Sequence, residues 1–596
     1  MKKLALVLAV VMVLSLGLTA CGGSTSSTGT ASSAPAGSSS SGSASDAAPA
    51  YNPDALQVKA LDDNTLQVTL TARTPYFLEL TAFPAYAPVQ QATVEANGEA
   101  WAVDAATYIG NGPYKIAEWV PSSHITMVKN ENYWNVDSLA GPDTLQFTLM
   151  EDDAAQLTAF QSGELDFIDA VPNDEIDALS STPEFYKEGQ IGTYYVSYNT
   201  QAAPFDDPLV RQAFTLAVDR DYICKQIGKS GQIPAGAFVS EGLSDAAEGS
   251  SFREVGGDYY DPTAGANEAN LAKAKELLAE AGYPNGEGLP TITYLYNEGT
   301  GHQQIGEALQ QMWGQLGATV TLESQEWATF LNTRKNGDYQ VARNGWLGDY
   351  NDPISFLDMW ITGGGNNDAQ WSNAEFDSLI SQIKSSGDAE ARMEMMHQAE
   401  DIIFDEWMLC PIYYYVDIYM AQQNLENLST SPLGFKFFMN ASNGTDTLKV
   451  CTGPDPDTID PALNSAVDGG TMIDHAFEGL YTVAYGTTPT PGQAESVEIS
   501  EDGLTYTFHL REGLKWSDGT PLTAHDFVYS WQRAVDPATG ADYAYMFECI
   551  AGYTEAINGE EYVAPAADAS SASTSESAAE SVSASTSESA STSAAA

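Results

Sequence analysis

The sequence predicts an α/β fold, because helical and strand-like segments alternate along the chain. Residues 270–281 combine strong helix formers, and Gly282 and Pro284 follow them as stop signals. Residues 302–316 predict a second helix, and 318–324 alternate apolar and polar residues as a half-buried strand does. A strand this soon after a helix is typical of an α/β lobe.

The second of these helices is predicted from the spacing of its apolar residues. On one helical face lie Ile305, Leu309, Met312 and Leu316. Further along, 504–510 (LTYTFHL) alternate as a strand and 522–535 have helical periodicity. The chain contains no internal repeat. Residues 51–446 and 447–563 together exceed the size of one core, so two or three lobes are expected.

The first twenty-one residues predict a bacterial lipoprotein signal rather than a folded element. Lys2 and Lys3 precede an apolar run at 4–18 that is too short to span a membrane. The run closes on LTAC, so Cys21 is the predicted lipidated first residue of the mature protein. The alternative is an ordinary cleaved signal peptide followed by an unrelated cysteine. The lipid prediction implies anchoring at the outer face of the cell membrane.

Two segments of low complexity flank the predicted fold. Residues 22–50 are mostly Gly, Ser, Ala and Thr, and 564–596 are an Ala/Ser/Thr/Glu tract. Chains of this composition bury too little apolar surface to offset their conformational entropy. Both are predicted to be disordered, the first as a tether and the second as a tail.

Composition excludes several classes of partner. The formal net charge of −57 argues against nucleic acid and against an anionic membrane surface. The cysteines after Cys21 lack CxxC spacing, so neither a metal site nor redox chemistry is predicted, while one or two disulfides remain open. These cysteines are Cys224, Cys410, Cys451 and Cys549.

No catalytic motif is evident, and we predict neither an enzyme nor a cofactor. Residues 228–230 (GKS) are similar to the end of a Walker A motif, but its first glycine position is occupied by Ile223. GxSxG and HExxH patterns are absent. Residues 454–460 carry alternate acids without the glycine and closing glutamate of a calcium loop.

Several long strings resemble the oligopeptide-binding branch of the family-5 solute-binding proteins that serve ABC importers. They lie at 109–134, 208–223, 326–353, 477–483 and 500–537. The resemblance implies a two-lobed, periplasmic-binding-protein-like fold of type II in its three-domain form. It also implies a monomer that captures an oligopeptide between its lobes and delivers it to membrane permease subunits.

The order of the segments departs from the family. Residues 447–563 resemble the start of a mature family member, and 51–446 resemble the remainder: the rest of the small domain, part of lobe I, and lobe II. The sequence therefore predicts a circular permutation. The old ends are joined through a small polar turn at 440–446. The new ends fall in a surface loop of the small domain.

Ligand residues follow from the resemblance. Asp349 stands where the family places the carboxylate that pairs with the α-ammonium of the peptide, since a buried cation requires such a partner. Gly345 and Leu347, on either side of Trp346, are expected to give main-chain hydrogen bonds to the peptide as to an added strand. At Leu347 some relatives carry a disulfide cysteine. Ser465 and Val467 are expected to flank the other side of the peptide.

Further residues match family positions around the rest of the peptide. The expected donors to its C-terminal carboxylate are Arg334, Arg343 and His302. A structural ion pair is the alternative for each arginine. The expected aromatic walls of the side-chain pockets are Trp327, Trp346, Tyr543 and Tyr415, the last from the run 413–415.

Two alternatives to peptide import remain open. A surface lipoprotein that senses or presents peptides without a transporter would share these features. A relative that binds a dipeptide, a nickel chelate or haem would share the fold, because the fold alone does not determine the ligand.

Overall fold

The computed structural model describes residues 50–247, 249–299, 301–484 and 488–564. Apart from positions 50 and 564, the predicted signal with Cys21, the tether and the tail lie outside these residues. No helix within the described ranges is both long enough and apolar enough to cross a membrane.

The strands are β1 Val58–Asp62, β2 Thr65–Thr69, β3 Tyr114–Val120, β4 His124–Lys129, β5 Thr144–Leu149, β6 Phe167–Ile168, β7 Phe185–Tyr198, β8 Ile233–Pro234, β9 Ile292–Asn297, β10 Val320–Gln325, β11 Val341–Leu347, β12 Leu409–Ala421, β13 Ser429–Thr430, β14 Lys436–Phe437, β15 Thr447–Gly453, β16 Tyr481–Thr482, β17 Thr490–Pro491, β18 Ala494–Ile499 and β19 Thr505–Leu510.

The helices are α1 Phe77–Leu80, α2 Gln91–Asn97, α3 Asp153–Gln161, α4 Ile176–Leu179, α5 Pro208–Leu216, α6 Arg220–Tyr222, α7 Phe252–Gly256, α8 Asn267–Glu280, α9 His302–Gly314, α10 Trp327–Lys335, α11 Ile354–Leu357, α12 Ala374–Ser385, α13 Ala389–Asp405, α14 Val467–Ala476, α15 Ala524–Val535 and α16 Tyr553–Ile557.

The predicted α/β class is confirmed. The two helices and two strands predicted individually in 270–324 and 504–510 correspond to α8, α9, β10 and β19, and the helix predicted at 522–535 is α15. The predicted apolar face of α9 is buried at Ile305, Leu309, Met312 and Leu316. A capping box of Thr523 and Asp526 defines the start of α15.

A large mixed sheet organises the fold, in the strand order β10-β9-β11-β7-β12-β6-β15-β5-β4-β3. The long strands β7 and β12 pair along most of their length. At one end β7 pairs with β11, and near the other end β12 pairs with β6. These two strands therefore connect the two halves of the sheet.

Each half of this sheet has its own packing. Over the β9 and β11 half, α5, α8 and α9 cover the strands, with Phe214, Leu277, Leu309 and Tyr294 in one buried cluster. A second sheet, in the order β1-β2-β19-β18, belongs to a larger cluster that includes Val68, Phe508 and Trp531. Three strands of the 447–563 segment, β15, β18 and β19, thus lie in the same two sheets as the earlier strands.

The two ends of the described chain lie side by side. The Asn52 N–H donates to the Ala556 carbonyl at 2.8 Å, and the Asn52 side chain donates to the Glu560 carbonyl at 2.6 Å. At the other junction, the turn before β15 leads directly into the sheet, where the Thr144 N–H donates to the Asp446 carbonyl at 3.0 Å. Only a few residues would be needed to connect the ends at 52 and 560.

No disulfide forms among the described residues, which answers a question that the sequence left open. All four cysteines after Cys21 lie among the described residues as free, buried thiols: Cys224, Cys410, Cys451 and Cys549. Burial raises the pKa of Cys224, Cys451 and Cys549 to about 12, as expected for structural thiols in apolar surroundings.

Candidate functional site

A cavity of about 360 Å³ lies beside the C-terminal part of β11. Every residue that the sequence nominated for ligand contact lines it: His302, Trp327, Arg334, Arg343, Gly345, Trp346, Leu347, Asp349, Tyr415, Ser465, Val467 and Tyr543. These residues come from α9, α10, β11, β12, α14 and the loops after β11, before α14 and after α15. The structure therefore brings together positions that are up to 241 residues apart in the chain, counted from His302 to Tyr543.

One edge of β11 is free where it passes the cavity. Along its other edge, β11 pairs with β7 from Val341 to Leu347, and the Gly348 N–H donates to the Ile191 carbonyl at 2.9 Å. Backbone groups of alternate residues point to opposite edges of a strand. Those of Gly345 and Leu347 therefore point away from β7. On that side β9 pairs only with Val341 and Ala342, so an extended chain has room to pair with the rest of the edge.

Gly345 allows close packing on this edge. A Cβ atom at this position would clash with the hydroxyl of Tyr415. The Gly345 N–H already meets the side-chain oxygen of Asn344 at 2.8 Å, so the free groups of the edge are the Gly345 carbonyl and the N–H and carbonyl of Leu347. A larger residue at position 345 would displace Tyr415 from the cavity wall.

Asp349 follows the end of β11 and turns its carboxylate into the cavity. Its Oδ1 accepts from the Tyr543 hydroxyl at 2.9 Å and its Oδ2 from the Ser355 hydroxyl at 3.3 Å. Burial raises the pKa of Asp349 well above its ordinary value, although the hydrogen bonds from Tyr543 and Ser355 act in the opposite direction. No cation is among the groups that stabilise this carboxylate in the described chain, so it is poised to receive one.

The 447–563 segment forms the facing wall. Ser465 donates to Asp542 Oδ2 at 3.0 Å, and Lys335 of α10 forms an ion pair with the same oxygen at 2.5 Å. Val467 is the first residue of α14. The Asn332 side chain, also on α10, donates to Asp457 at 3.3 Å. Two polar contacts therefore join α10 to this segment at the rim of the cavity.

Arg343 is the cation of the cavity that retains no acidic partner among the described residues. Its guanidinium lies 5.4 Å from the ring centroid of Tyr194 and 5.9 Å from that of Trp327. No carboxylate of the described chain forms an ion pair with it, and its neighbours are tyrosine rings and hydroxyls. A ligand carboxylate is the group that would complete this site.

Two of the expected cationic donors require correction. Arg334 lies in the cavity wall, but its Nε is 2.5 Å from Asp368 Oδ2, so its charge is already neutralised by the structural ion pair that was the alternative. Burial and the charge of Arg343 lower the pKa of His302 well below its ordinary value. His302 is therefore neutral near pH 7, with Nδ1 3.2 Å from the Tyr194 hydroxyl.

Aromatic side chains line the cavity, among them the four that the sequence nominated. The ring of Tyr543 lies 5.1 Å from Phe83 and 6.3 Å from Trp346. The Trp346 indole N–H donates to the Ser355 carbonyl at 2.8 Å, which fixes the ring. Of the run 413–415, only Tyr415 reaches the cavity; the other two tyrosines belong to the packed interior.

Several lining residues were not anticipated from the sequence. Apolar contacts come from Phe83, Leu433 and Phe435, and polar groups come from Glu151, Gln156, Asn297, Glu298 and Asp468. Ser355, which holds Asp349, was also missed. Asp468 follows the predicted Val467 directly, and Asn297 and Glu298 precede the predicted His302 by five and four residues, so closeness in sequence was the available signal. The described residues contain no group of three or more His, Cys, Asp or Glu side chains arranged to hold a metal ion.

The chain is similar to known proteins over much of its length. The chain matches the family model described as bacterial extracellular solute-binding proteins, family 5 Middle, over residues 27–368 and 488–586. It is 37% identical over 385 residues to the dipeptide-binding protein DppE of Bacillus subtilis (strain 168). That alignment covers 64% of this chain and 69% of DppE. It is 35% identical over 400 residues to the oligopeptide-binding protein OppA of the same organism, covering 65% and 71%.

Solved structures give the same picture of the fold. The Haemophilus influenzae OppA complex with RPPGFSPFR aligns with a TM-score of 0.57 and 29% identity over 62% of this chain and 71% of that chain. The Escherichia coli murein tripeptide binding protein MppA aligns with a TM-score of 0.57 and 30% identity over 64% and 72%. Both alignments span most of the matched protein.

Proposed function

The chain belongs to the bacterial extracellular solute-binding proteins of family 5, and from this premise we propose that it captures oligopeptides in the β11 cavity. The observation that carries the proposal is the free edge of β11 that leads to Asp349. An extended peptide pairs with Gly345 and Leu347 through its main chain, which makes recognition tolerant of side-chain sequence. Its α-ammonium meets Asp349, and this contact sets the register.

The two ends of the peptide meet opposite charges. Asp349 and Arg343 are six positions apart on β11 and the turn after it, a span of about 20 Å at the usual rise of a strand. A peptide of several residues fits between them with its carboxylate towards Arg343. Near this end His302 provides a neutral hydrogen-bonding group. Arg334 lies in the wall there, with its charge neutralised by an ion pair. Favourable contacts at both termini offset the desolvation of the peptide charges.

Binding proceeds by closure of two lobes connected through β7 and β12. The ligand favours the closed state because only that state contacts the peptide on both sides. Support comes from the contacts of α10 with the 447–563 segment, where Lys335 pairs with Asp542 and Asn332 with Asp457. These contacts form on closure and stabilise the closed state.

Removal of the Lys335 charge should weaken peptide binding without abolishing it. Lys335→Gln deletes a partly exposed ion pair, a loss of about 0.5–1 kcal/mol that corresponds to roughly two- to fivefold weaker binding. Titration calorimetry with one tight-binding peptide measures the change. Lys273→Gln, on the exposed face of α8, is the matched control and should leave affinity unchanged. If Lys335→Gln and the unmodified protein bind the peptide with equal affinity, the ion pair between Lys335 and Asp542 does not stabilise the closed state.

Peptide affinity should depend on pH through Asp349. Burial raises the pKa of this carboxyl in the free protein, and a bound ammonium would lower it again. Below the free-state pKa, Asp349 is protonated and must release its proton on binding, so affinity falls by up to about tenfold per pH unit as pH decreases. Above about pH 8 affinity falls again, because the α-ammonium loses its proton.

An N-acetylated peptide provides the control for this pH profile, because it carries no ammonium. Its affinity should vary less steeply with pH in calorimetric titrations under the same conditions. Identical profiles for the free-amine and acetylated peptides would show that Asp349 does not pair with the peptide terminus.

The chain order is part of the proposal. Residues 447–563 and 51–446 make one binding unit in circularly permuted order, with lobes and small domain as the family arranges them. Support comes from the adjacent ends at Asn52 and Ala556 and from the family match in two separate ranges. A rotated chain also explains why an alignment in sequence order leaves part of both proteins unmatched.

Delivery to an ABC importer completes the proposed function, with the lipid on Cys21 tethering the protein at the cell surface. Mass spectrometry of ligands released from the purified protein tests the ligand class. Peptides are expected, whereas sugars, haem or a nickel chelate in their place would contradict the proposal. Permease and ATPase genes next to the coding gene would favour import over a sensor without a transporter.

A further inference from the structure

A second cavity adjoins the first at Asp349. It has a volume of about 190 Å³, and Asp349 lines both cavities. Four further residues line both and form the walls around this junction: Phe83, Pro84, Leu433 and Phe435. The space available to a ligand therefore continues past the carboxylate at which the proposed peptide begins.

Helix α14 runs beside both cavities. Its first residue, Val467, lines the first cavity, and Asp474 lines the second. Residues seven positions apart in a helix lie on nearly the same face, about 10 Å apart along the axis. Between them, a Cβ at Gly470 would lie 2.9 Å from the ring of Phe435, so α14 packs closely against the junction. One helix face thus leads from the first cavity to Asp474.

Asp474 is a carboxylate without a partner. It forms neither a hydrogen bond through its side chain nor an ion pair with any described residue. Burial raises the pKa of Asp474 well above its ordinary value, and no neighbouring charge, that of Asp349 included, acts on it. The residue is nevertheless partly exposed, so a ligand in the second cavity can reach it. The two carboxylates are therefore separate sites.

The other groups of the second cavity leave Asp474 as its free charge. No Lys, Arg or His is among the described residues that line this cavity. Glu79 also lines it, but its Oε2 accepts from the Asn351 N–H at 2.9 Å and so holds the turn after Asp349. Most of the remaining wall is apolar, including Ala82, Ile191, Pro432 and Val483. An unpaired carboxylate in such surroundings requires a cation to be ionised at low cost.

We propose that Asp474 is a second anchor for the α-ammonium of a peptide, used by peptides whose amino end extends past Asp349. This inference rests on the proposed peptide-binding function and adds a second register to it. A peptide paired with β11 has its amino end at Asp349, so the amino end is the part that enters the second cavity. In the second register a peptide N–H donates to Asp349, and the ammonium meets Asp474.

Peptides with stepwise extensions test the second anchor. The reference is tetra-alanine, and the extended peptides carry one, two or three more alanines at the amino end. Each is made with a free and with an acetylated amino terminus, and titration calorimetry gives the ratio of the two affinities. Alanine peptides carry no other cation, so this ratio reports the terminus alone. At one extended length or more, the free amine should bind at least about tenfold more tightly.

Two variants assign the ammonium to one carboxylate or the other. Asp474→Asn should reduce the ratio of that extended peptide below about threefold and leave the ratio of tetra-alanine unchanged. Asp349→Asn should have the opposite effect, because it removes the anchor of the shorter peptide. Asp405→Asn, at the exposed end of α13, is the matched control and should change neither ratio. Thermal unfolding establishes that each variant is folded, and Asp474→Ser replaces Asp474→Asn if the latter is not.

The outcomes separate this inference from the function on which it rests. If the extended peptides respond to Asp349→Asn and not to Asp474→Asn, the ammonium stays at Asp349 and the second anchor is overturned. Equal affinities of the free and acetylated extended peptides would also overturn it, while amine-dependent binding of tetra-alanine would leave the proposed function intact. Failure of every peptide to bind would overturn both.

Discussion

Asp349→Asn should weaken the binding of peptides with a free amino terminus by about thirty- to a thousandfold. The substitution removes the charge that meets the α-ammonium in a buried site, and loss of one partner of such a pair costs about 2–4 kcal/mol. Asparagine retains the size and one acceptor oxygen of aspartate, so Tyr543 and Ser355 keep a partner. Titration calorimetry at neutral pH measures the loss.

N-acetylated peptides complete a thermodynamic cycle for this contact. They lack the ammonium, so the unmodified protein should bind them weakly and Asp349→Asn should change their affinity by less than about threefold. The melting temperature should not fall, because burial already disfavours the ionised form of Asp349 in the free protein. Asp405→Asn, at the exposed end of α13, is the matched control. Equal losses for both peptide types would assign Asp349 a structural role.

Residues 51–446 alone should show no measurable peptide binding. Without 447–563 the large sheet loses β15 between β5 and β6, and the small sheet loses β18 and β19. The cavity also loses Ser465, Val467 and Tyr543. Exposed sheet edges and an opened core would leave this fragment poorly folded as well. Circular dichroism and calorimetry of the fragment and the complete chain measure both effects.

A reordered chain separates permutation from simple truncation. Placing 447–563 before 51–446, joined through a short Gly/Ser linker, gives the segment order that the family resemblance implies. The hydrogen bonds between these two ends show that the connection is short. The reordered chain should bind peptides within about threefold of the original, because every cavity contact is retained. Loss of folding in this variant would contradict the rotated arrangement.

The sequence was most informative where local pattern determines structure. The apolar face of α9 was identified by helical spacing alone, because those residues pack against one sheet. Boundaries were less accurate: the strand predicted from residue 318 begins at Val320. Gly317 adopts a left-handed conformation with φ of +87°, so the turn between α9 and β10 takes more residues than the polarity pattern indicated.

Positions in the candidate site were predictable from resemblance, but their charge states were not. Arg334 matches a family position, yet its charge is met by Asp368, 34 residues further along the chain. The neutral state of His302 depends on burial and on Arg343, which only tertiary packing brings near. Glu151, Gln156, Asn297 and Glu298 escaped detection because they come from two separate segments, neither with a motif of its own. Electrostatic properties of a cavity therefore require the folded arrangement.

A crystal structure of the protein with a bound peptide tests the central claim most directly. We expect the peptide nitrogen at the amino terminus within about 3 Å of an Asp349 carboxylate oxygen. The peptide main chain should be paired with Gly345 and Leu347, and its carboxylate should face Arg343. A peptide bound in the reverse direction, or held without contact to the β11 edge, would contradict the account.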